Sequence, residues 1–423
     1  MGVYDIDGNA IGSSGIPKYT LEVLVASSTA PESIKANADY ICTGVNDEAV
    51  IQNAVDYVAQ NHGGKVQLSS GVFYISSFPK TDSAGDSVAI LVPQGDRYYA
   101  IDIVGTDLVW GIGLREDQKG TILAVSHSCY ESLSSSSRYT VLRGGYVSRQ
   151  RNSNIQCSVR NLMVYLPANQ KPITCIDFLY MNRAFLEKVI ARGYEYGYNG
   201  LVSGSTPPAA VQNCIGFRSV GGSNAGVLID FRNCLATGFY EAFAIGGEHF
   251  IGIQLSAMYN VYGYTFGNYS WTDAFLHPIT LINCCDENDV NLPLFANNSG
   301  KQAVNLIDFN IEWGIASVTP GGVVGDHAKE TTPGKFCGNI NYTMCYGGVW
   351  SANNVTEPFW ESGSGHSIQT KNDAQELSGT SALRRTYAPN FMQQYFDTTA
   401  NKLLICTDPA NKTWVDADGN VVS

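Results

Sequence analysis

The sequence predicts an all-β protein whose body is a right-handed parallel β-helix, a solenoid with an N-terminal capping helix and a small C-terminal appendage. Three observations predict this fold. The chain has 423 residues, more than one ordinary compact domain but suitable for a solenoid built around one continuous core. Its 43 glycines and 24 tyrosines favour short strands and tight turns over long helices. A strand-like segment also recurs in the middle of the chain at steps of about 26 residues.

The recurring segment ends in Ile-Asp-Phe and occupies 175–178, 228–231 and 306–309. Strand-like residues fall at the intermediate positions that a step of about 26 residues requires. Such a step, without helical periodicity between the strands, is typical of one coil of a parallel β-helix, although chance similarity of three short motifs is the alternative. The register predicts a single outward column, which in chain order contains Asp177, Ser203, Asp230, Ala257, Asn283 and Asp308.

Alternation along each strand predicts which side chains enter the core. Ile229 and Phe231 are expected inside the coil, with Asp230 outside. By the same alternation Ile307 is expected inside and Glu312 outside.

One amphipathic helix is predicted after Asn46 or Asp47, either of which would cap it. Its apolar stripe follows a spacing of three and four residues and consists of Val50, Ile51, Ala54, Val55 and Val58. Two short strands, 65–68 and 72–75, follow a Gly-Gly pair. We expect this helix to close one end of the solenoid, whose core would otherwise meet water.

Four parts are predicted along the chain. They are an attachment or linker segment at 1–18, an N-terminal cap with the helix and first strands at 19–100, the parallel β-helix at 101–365, and a linker with a C-terminal hairpin appendage at 366–423.

Charge and composition exclude several kinds of partner. The net charge of -12 argues against nucleic acid and anionic membranes, both of which need a basic face. No apolar stretch is long enough for membrane insertion. The six histidines show no metal-ligand spacing, so neither a metal nor another cofactor is expected. The 11 cysteines form no regular framework and are expected to be mostly buried thiols.

The stretch from 38 to 75 resembles the entry segment of pectate-lyase superfamily β-helix proteins. The matching residues are Asn46-Asp47, Ile51-Gln52, Gly63-Gly64-Lys65-Val66 and Gly71-Val72-Phe73-Tyr74-Ile75. The resemblance implies the fold. It transfers no active site, because that superfamily includes lyases, hydrolases, epimerases and binding proteins.

The two ends of the chain, 4–9 and 395–417, resemble pieces of phage and prophage tail fibres and tailspikes. That resemblance implies a homotrimer on a virion tail, outside the cell, that binds and often cuts a bacterial surface polysaccharide. The start of the chain lacks the features of a signal peptide, so a secreted protein whose signal has been removed is the alternative location.

Glycoside hydrolysis needs two carboxylates about 5 to 5.5 Å apart for retention or about 6.5 to 9.5 Å apart for inversion. The predicted register places Glu287 and Glu312 in one outward column on adjacent coils, with Asp308 on the same face. Neighbouring carboxylates repel, which favours the protonated form of one of them as a general acid. We therefore predict a catalytic group of Glu312, Glu287 and Asp308, with ordinary solvated surface acids as the alternative.

A second candidate catalytic group contains Asp230, Glu241 and Glu248, and Arg232 shares the outward face of Asp230. A simple ion pair between Asp230 and Arg232 is the alternative there.

Predicted substrate-binding residues are Trp313, Tyr259, Tyr264 and Arg232, because aromatic rings stack on sugars. Packing of a loop is an equal alternative for the aromatic rings. Elimination would need outward basic residues and a bound cation, and such residues are scarce along the coils. Hydrolysis is therefore expected, with a non-catalytic tail adhesin and a secreted polysaccharide lyase as the alternatives.

Overall fold

A computed structural model describes part of the chain. The described residues are 3–4, 10–11, 21–82, 85–93, 99–106, 120–144, 155–178, 181, 183–195, 210–219, 228–246, 249–266, 279–287, 294–295, 304–307, 310–313, 340–343, 346–349, 368–371, 378–379, 394–408, 410–411, 413–416 and 419–422. From 294 to 394 only the backbone is described, apart from the side chains of Asn305 and Ile307.

The described helices are α1 (Glu32–Lys35), α2 (Asp47–Gln60) and α3 (His127–Ser132). The described strands are β1 (Val3–Tyr4), β2 (Ala10–Ile11), β3 (Glu22–Ala26), β4 (Tyr40–Ile41), β5 (Gly64–Leu68), β6 (Gly71–Ile75), β7 (Lys80–Thr81), β8 (Ser87–Leu91), β9 (Ala100–Val104), β10 (Thr121–Val125), β11 (Tyr139–Gly144), β12 (Gln156–Tyr165), β13 (Ile173–Phe178), β14 (Arg183–Arg192), β15 (Ile215–Ser219), β16 (Leu228–Arg232), β17 (Leu235–Thr237), β18 (Glu241–Ile245), β19 (Phe250–Ile253), β20 (Ser256–Met258), β21 (Tyr262–Phe266), β22 (Ile279–Ile282), β23 (Cys285–Glu287), β24 (Leu294–Phe295), β25 (Val304–Ile307), β26 (Asn310–Trp313), β27 (Ile340–Thr343), β28 (Tyr346–Val349), β29 (Ile368–Lys371), β30 (Ser378–Gly379), β31 (Gln394–Asp397), β32 (Lys402–Asp408), β33 (Thr413–Val415) and β34 (Val421–Val422).

Most of these strands form a right-handed parallel β-helix, as the sequence predicts. Within the described residues, one large sheet has 19 strands and a second sheet has 8. A coil contributes a first and a second strand to the large sheet and a third strand to the second sheet. For example, β16, β17 and β18 pair in parallel with β19, β20 and β21 of the next coil. Right-twisted strands joined by such crossovers give a right-handed solenoid.

Across the middle of the solenoid a left-handed backbone residue bends each coil, either within one long strand, as in β12 and β14, or between the first and second strands. The residues at this bend have φ between 52° and 55° and are Asn161, Lys188, Asn233, Gln254 and Asn283. Asparagine tolerates this conformation better than most residues because its short polar side chain bonds locally. The bend turns the second strand, so the two strands present separate outward faces.

The predicted outward column of six residues is wrong. Asp177 lies in the second sheet, where it pairs with Arg143 and Arg218. Ala257 points into the core, and Asn283 is a bend residue whose N–H donates to the Ile307 carbonyl on the next coil.

The remaining members of that column do not restore it. Asp230 lies in β16, and Ser203 and Asp308 are outside the described residues. The ladder that contains Asp230 continues through Ile251, Thr280 and Asn305, whose numbers differ by 21, 29 and 25. The preceding step of the same ladder, from Phe185 to Asp230, is 45 residues, so strands stay in register across loops of different length and the predicted period of about 26 residues is not regular.

The inward residues agree with the prediction in one strand and differ in another. Ile229 and Phe231 are 2% and 1% exposed inside the coil. Ile307 was predicted to point into the core, but it pairs with Ile282 on the outward face. The inward and outward positions of this strand are therefore shifted by one residue from the prediction. The similar tetrapeptides therefore occupy unlike positions in the fold.

Helix α2 closes the N-terminal end as expected. Ile51, Ala54, Val55 and Val58 are fully buried, so the apolar stripe lies on the core. The N-cap residue is Asn46, which makes no side-chain capping hydrogen bond, and the carboxylate of Asp47 at the first helical position accepts from the backbone N–H groups of Gly44 at 2.9 Å and Tyr74 at 2.9 Å. Gln52 exchanges two hydrogen bonds with the Leu91 backbone, at 2.7 and 2.9 Å. Asp47 and Gln52, which belong to the segment that resembles the β-helix entry, thus hold α2 against the first coils by hydrogen bonds.

A buried ionic cluster crosses the second sheet. The Arg143 guanidinium lies 2.8 Å from Asp82, 2.8 Å from Asp86 and 3.1 Å from Asp177, and Arg218 bonds to Asp177. Because Asp82 and Asp86 belong to the β7–β8 hairpin, the cluster joins that hairpin to three successive coils.

The C-terminal sheet contains β30 to β34, of which β31 to β34 form an antiparallel meander. Nine cysteines in the described part of the chain are free thiols, and all but Cys285 are buried. None of the helices in the described ranges has the length and apolar character needed to cross a membrane.

Candidate glycan site on the outward face of the second strands

Glu287 and Glu312 are ladder partners on adjacent coils. Strand β23 pairs in parallel with β26 so that Glu287 lies opposite Glu312. Neighbouring strands are separated by about 4.8 Å, so the two backbones place these residues one coil apart in a single column. The side chain of Glu312 lies outside the part of the chain that is described, and the catalytic role of the pair stays a prediction.

The column that contains Glu287 changes from buried to accessible along the solenoid. Successive ladder partners are Tyr165, Arg192, Thr237, Met258 and Glu287. The first three are 7%, 1% and 2% exposed. Met258 and Glu287 are partly exposed. A ligand on this face would therefore meet the column from Met258 onward.

Several polar groups surround Glu287. The Tyr259 N–H donates to the Glu287 carbonyl at 3.1 Å, and the half-buried Tyr259 side chain follows directly after Met258. The Cys285 thiol donates to Ser256 Oγ at 3.2 Å. The pKa of Cys285 is raised to about 12, chiefly by burial; the hydrogen bond with Ser256 lowers it, and the carboxylate of Glu287 raises it. Glu287 thus lies beside a protonated thiol, and Tyr259 remains a proposed sugar platform.

Asp286 does not belong to this accessible surface. It is fully buried and pairs with Ala257 and Ile311, on the inward side of the second strands. Adjacent residues of a strand point to opposite faces, which separates Asp286 from Glu287.

The second predicted group contains an ion pair. Arg232 Nε donates to Asp230 Oδ1 at 2.9 Å, and its terminal nitrogen donates to Oδ2 at 2.6 Å. The hydrogen bond to Asp230 raises the pKa of Arg232 above its usual value. The guanidinium groups of Arg160 and Arg232 lie 5.2 and 5.8 Å from the centroid of the Phe185 ring. This patch lies on the first strands and satisfies its own charges, in agreement with the simple-pair interpretation.

Two predicted site residues are buried, which contradicts contact with a glycan. Tyr264 is 0% exposed and donates to the Leu255 and Cys285 carbonyls at 2.9 and 3.0 Å, so its ring fills the core. Glu241 is 3% exposed and accepts a hydrogen bond from Thr265 at 2.5 Å.

Other predicted residues are only partly described. Glu248 and Asp308 lie outside the described residues, and for Trp313 only the backbone in β26 is described. In the portion of the chain with described side chains, no group of three or more His, Cys, Asp or Glu residues is arranged so that it could hold a metal ion.

Sequence reasoning missed Ser256, Met258 and Cys285, which share the outward face of the second strands with Glu287. The bend residues Gln254 and Asn283 mark the start of each of these strands. Recurrent Asn or Gln residues two positions before a short strand, as at Asn233, Gln254 and Asn283, are therefore the signal that would locate this face.

Comparison with known proteins gives structural similarity without sequence relatives. Neither the protein-family models nor the curated proteins contain a match to this chain. Similar solved structures include the A-module of the Azotobacter vinelandii mannuronan C-5 epimerase AlgE6, at 12% identity over 72% of this chain and 71% of that one, with a TM-score of 0.26. Tailspike protein 3 of bacteriophage CBA120 is 12% identical over 89% of this chain and 67% of that one, with a TM-score of 0.21. The A-module of the Azotobacter vinelandii epimerase AlgE4 is 14% identical over 77% and 94%, with a TM-score of 0.25. No residue role is transferred at these identities.

Proposed function

We propose that this protein binds a polysaccharide along the outward face of the second strands and hydrolyses it with paired carboxylates. The observation that supports this most is the ladder pairing of Glu287 with Glu312 where the column becomes accessible. A strand separation of about 4.8 Å lies near the carboxylate spacing of retaining glycosidases, and rotation of the side chains would reach the inverting range.

The two carboxylates would divide the chemistry. Like charges one coil apart favour a state in which one proton is shared, and the protonated residue would act as general acid toward the glycosidic oxygen. The other carboxylate would act as nucleophile or as base toward water. Asp308, Trp313 and Tyr259 are proposed neighbours of the scissile bond, in the assisting and sugar-binding roles that the sequence predicts.

The biological setting is proposed from the resemblance of the chain ends to tail fibres and tailspikes. A virion-tail location, a bacterial surface glycan and a homotrimeric assembly belong together in such proteins. A secreted protein with its signal removed would use the same face.

Incubation with a panel of bacterial capsular and plant polysaccharides tests the activity. Hydrolysis predicts new reducing ends without absorbance from unsaturated uronates. Reducing ends together with that absorbance would indicate the lyase alternative, and binding without new ends on every glycan would indicate the adhesin.

A further inference from the structure

The outward face of the first strands changes from charged to uncharged along the solenoid. Its earlier coils carry ion pairs, such as Lys65 with Glu22 at 2.8 Å and Arg232 with Asp230 at 2.6 Å. The ladders through Asp230 and Arg232 then continue into uncharged residues on the next three coils. This uncharged face consists of Ile251, Thr280 and Asn305 after Asp230, and of Ile253, Ile282 and Ile307 after Arg232.

The same three coils carry the proposed catalytic pair. Each of them supplies two positions to the uncharged face and one position to the column of Met258, Glu287 and Glu312. The exposed bend residues Gln254 and Asn283 lie between the two. The described ranges 249–266, 279–287, 304–307 and 310–313 contain no lysine or arginine. The uncharged face is therefore continuous with the proposed site, and the coils that form both carry no cationic side chain in these ranges.

The uncharged face offers both apolar contact and hydrogen bonds. Ile251 is 40% exposed, and Ile253 and Ile282 are partly exposed. Asn305 Nδ2 donates to Thr280 Oγ1 at 3.2 Å, and both of these side chains are partly exposed. Aliphatic side chains can contact the C–H groups of a sugar ring, whereas amides and hydroxyls can bond to its hydroxyl groups. A neutral glycan would find both kinds of contact here.

A polyanionic glycan does not fit this surface. Proteins recognise carboxylate and phosphate groups mainly with arginine and lysine, which the described ranges of these coils lack. An anion that loses water without such a partner costs free energy. The carboxylate of Glu287 and the net charge of -12 would repel it as well. The same reasoning argues against the lyase alternative, because its substrate contains uronic acids.

We propose that the substrate is an uncharged polysaccharide, which the uncharged face holds beside Glu287 and Glu312. The position of the scissile bond rests on the proposed function, whereas the charge of the glycan is inferred from the residues of the uncharged face. Ile251, Thr280 and Ile282 act as specificity-determining residues. They contact the sugars and take no part in bond cleavage.

Affinity electrophoresis through gels that contain one polysaccharide measures binding separately from cleavage. The probes are neutral polysaccharides, polysaccharides that contain uronic acids, and the methyl esters of the latter, in which the sugars are kept and the charge is removed. We expect neutral polymers or esters to retard the protein, with little effect of salt, because no ion pair is there to be screened.

The possible failures of this experiment are distinguishable. Retardation by charged polymers alone, weakened by salt, would overturn the uncharged substrate and leave glycan hydrolysis standing. Equal retardation by a charged polymer and its ester would overturn it in the same way. No retardation by any probe would overturn glycan binding itself, and with it the proposed function.

Two variants test the uncharged face with the neutral polymer that retards the protein. Ile251→Thr and Ile282→Thr remove apolar contact but keep a β-branched side chain, so circular dichroism should show both folded. The affinity of each should fall by about tenfold. Val104→Thr is the matched control, because Val104 is partly exposed in the ladder that leads to Ile282 but lies on β9.

Unchanged affinity in both isoleucine variants would place binding elsewhere and overturn the proposal. Light scattering of the same samples separates the other occupant of this face, a second copy of the chain. A fall in mass without a fall in affinity would assign the uncharged face to contact between copies, which also overturns the proposal.

Discussion

Replacing Arg143 with methionine perturbs the ionic cluster that joins the β7–β8 hairpin to the second sheet. Arg143 is fully buried, and its guanidinium lies within 3.1 Å of Asp82, Asp86 and Asp177. Removing one partner of a buried ion pair costs about 3 to 5 kcal/mol, because the remaining charge stays desolvated. Arg143 serves three carboxylates, of which Asp86 would keep Arg138 and Asp177 would keep Arg218, so we expect Arg143→Met to lower the free energy of unfolding by about 3 to 5 kcal/mol.

Urea unfolding, followed by circular dichroism, measures the loss. Arg160→Met makes the same exchange on the outward face, where the Arg160 side chain is 37% exposed and 3.9 Å from Asp102. An exposed pair of this kind contributes about 0 to 1 kcal/mol, so the control should unfold close to the unmutated protein. Equal losses in the two variants would refute the role of burial in this cluster.

Two further predictions concern the thiols. Burial is the largest cause of the raised pKa of Cys285, and the charge and hydrogen bond of Glu287 raise it as well. Because Glu287→Gln removes that charge and hydrogen bond, the pKa of Cys285 should fall and its thiolate fraction should increase. Iodoacetamide labelling of Cys285, followed by peptide mass spectrometry at pH 8 to 9, should be faster in the variant when native and equal in both proteins when unfolded. Burial also raises the pKa values of Cys214, Cys234 and Cys284 from the ordinary thiol value of 9.0 to about 12. For each thiol the pKa is higher in the folded state than in the unfolded state. The contribution of the three thiols to stability is therefore complete below about pH 9 and is lost as the pH rises toward 12, by about 1.4 kcal/mol per pH unit for each thiol. Urea midpoints that stay constant between pH 8 and 11 would contradict this.

Local pattern predicted the elements of this fold better than their register. The α2 stripe follows from helical spacing, because one face must enter the core, and the structure buries it. The Ile-Asp-Phe motifs predicted a solenoid, but the observed steps between ladder partners from Phe185 to Asn305 are 45, 21, 29 and 25 residues. They did not predict the coil pairing, because loop lengths between strands vary and no local rule sets them. Asp177 and Asp230 therefore belong to different sheets despite identical neighbours.

The candidate site shows the same limit. Counting one coil from Glu287 reached its ladder partner Glu312, since the intervening step of 25 residues is close to the predicted period of about 26. Tyr264 was misplaced because tyrosine is compatible with both a core and a sugar platform, and only the pairing of β21 decides between them. The bend at Asn283 was taken for a strand position because a left-handed residue has no apolar pattern.

Cleavage of a susceptible glycan by Glu312→Gln and Glu287→Gln tests the proposed site most directly. Glutamine keeps the shape of the glutamate side chain but cannot act as a general acid, general base or nucleophile. Folding and glycan binding should therefore persist. The turnover number should fall by a factor of about 10² or more in each variant. Glu187→Gln, on the outward face of the first strands, is the control and should cleave like the unmutated protein. Unchanged cleavage by both Glu312→Gln and Glu287→Gln would contradict catalysis at this column and would direct attention to Asp230 and Glu248.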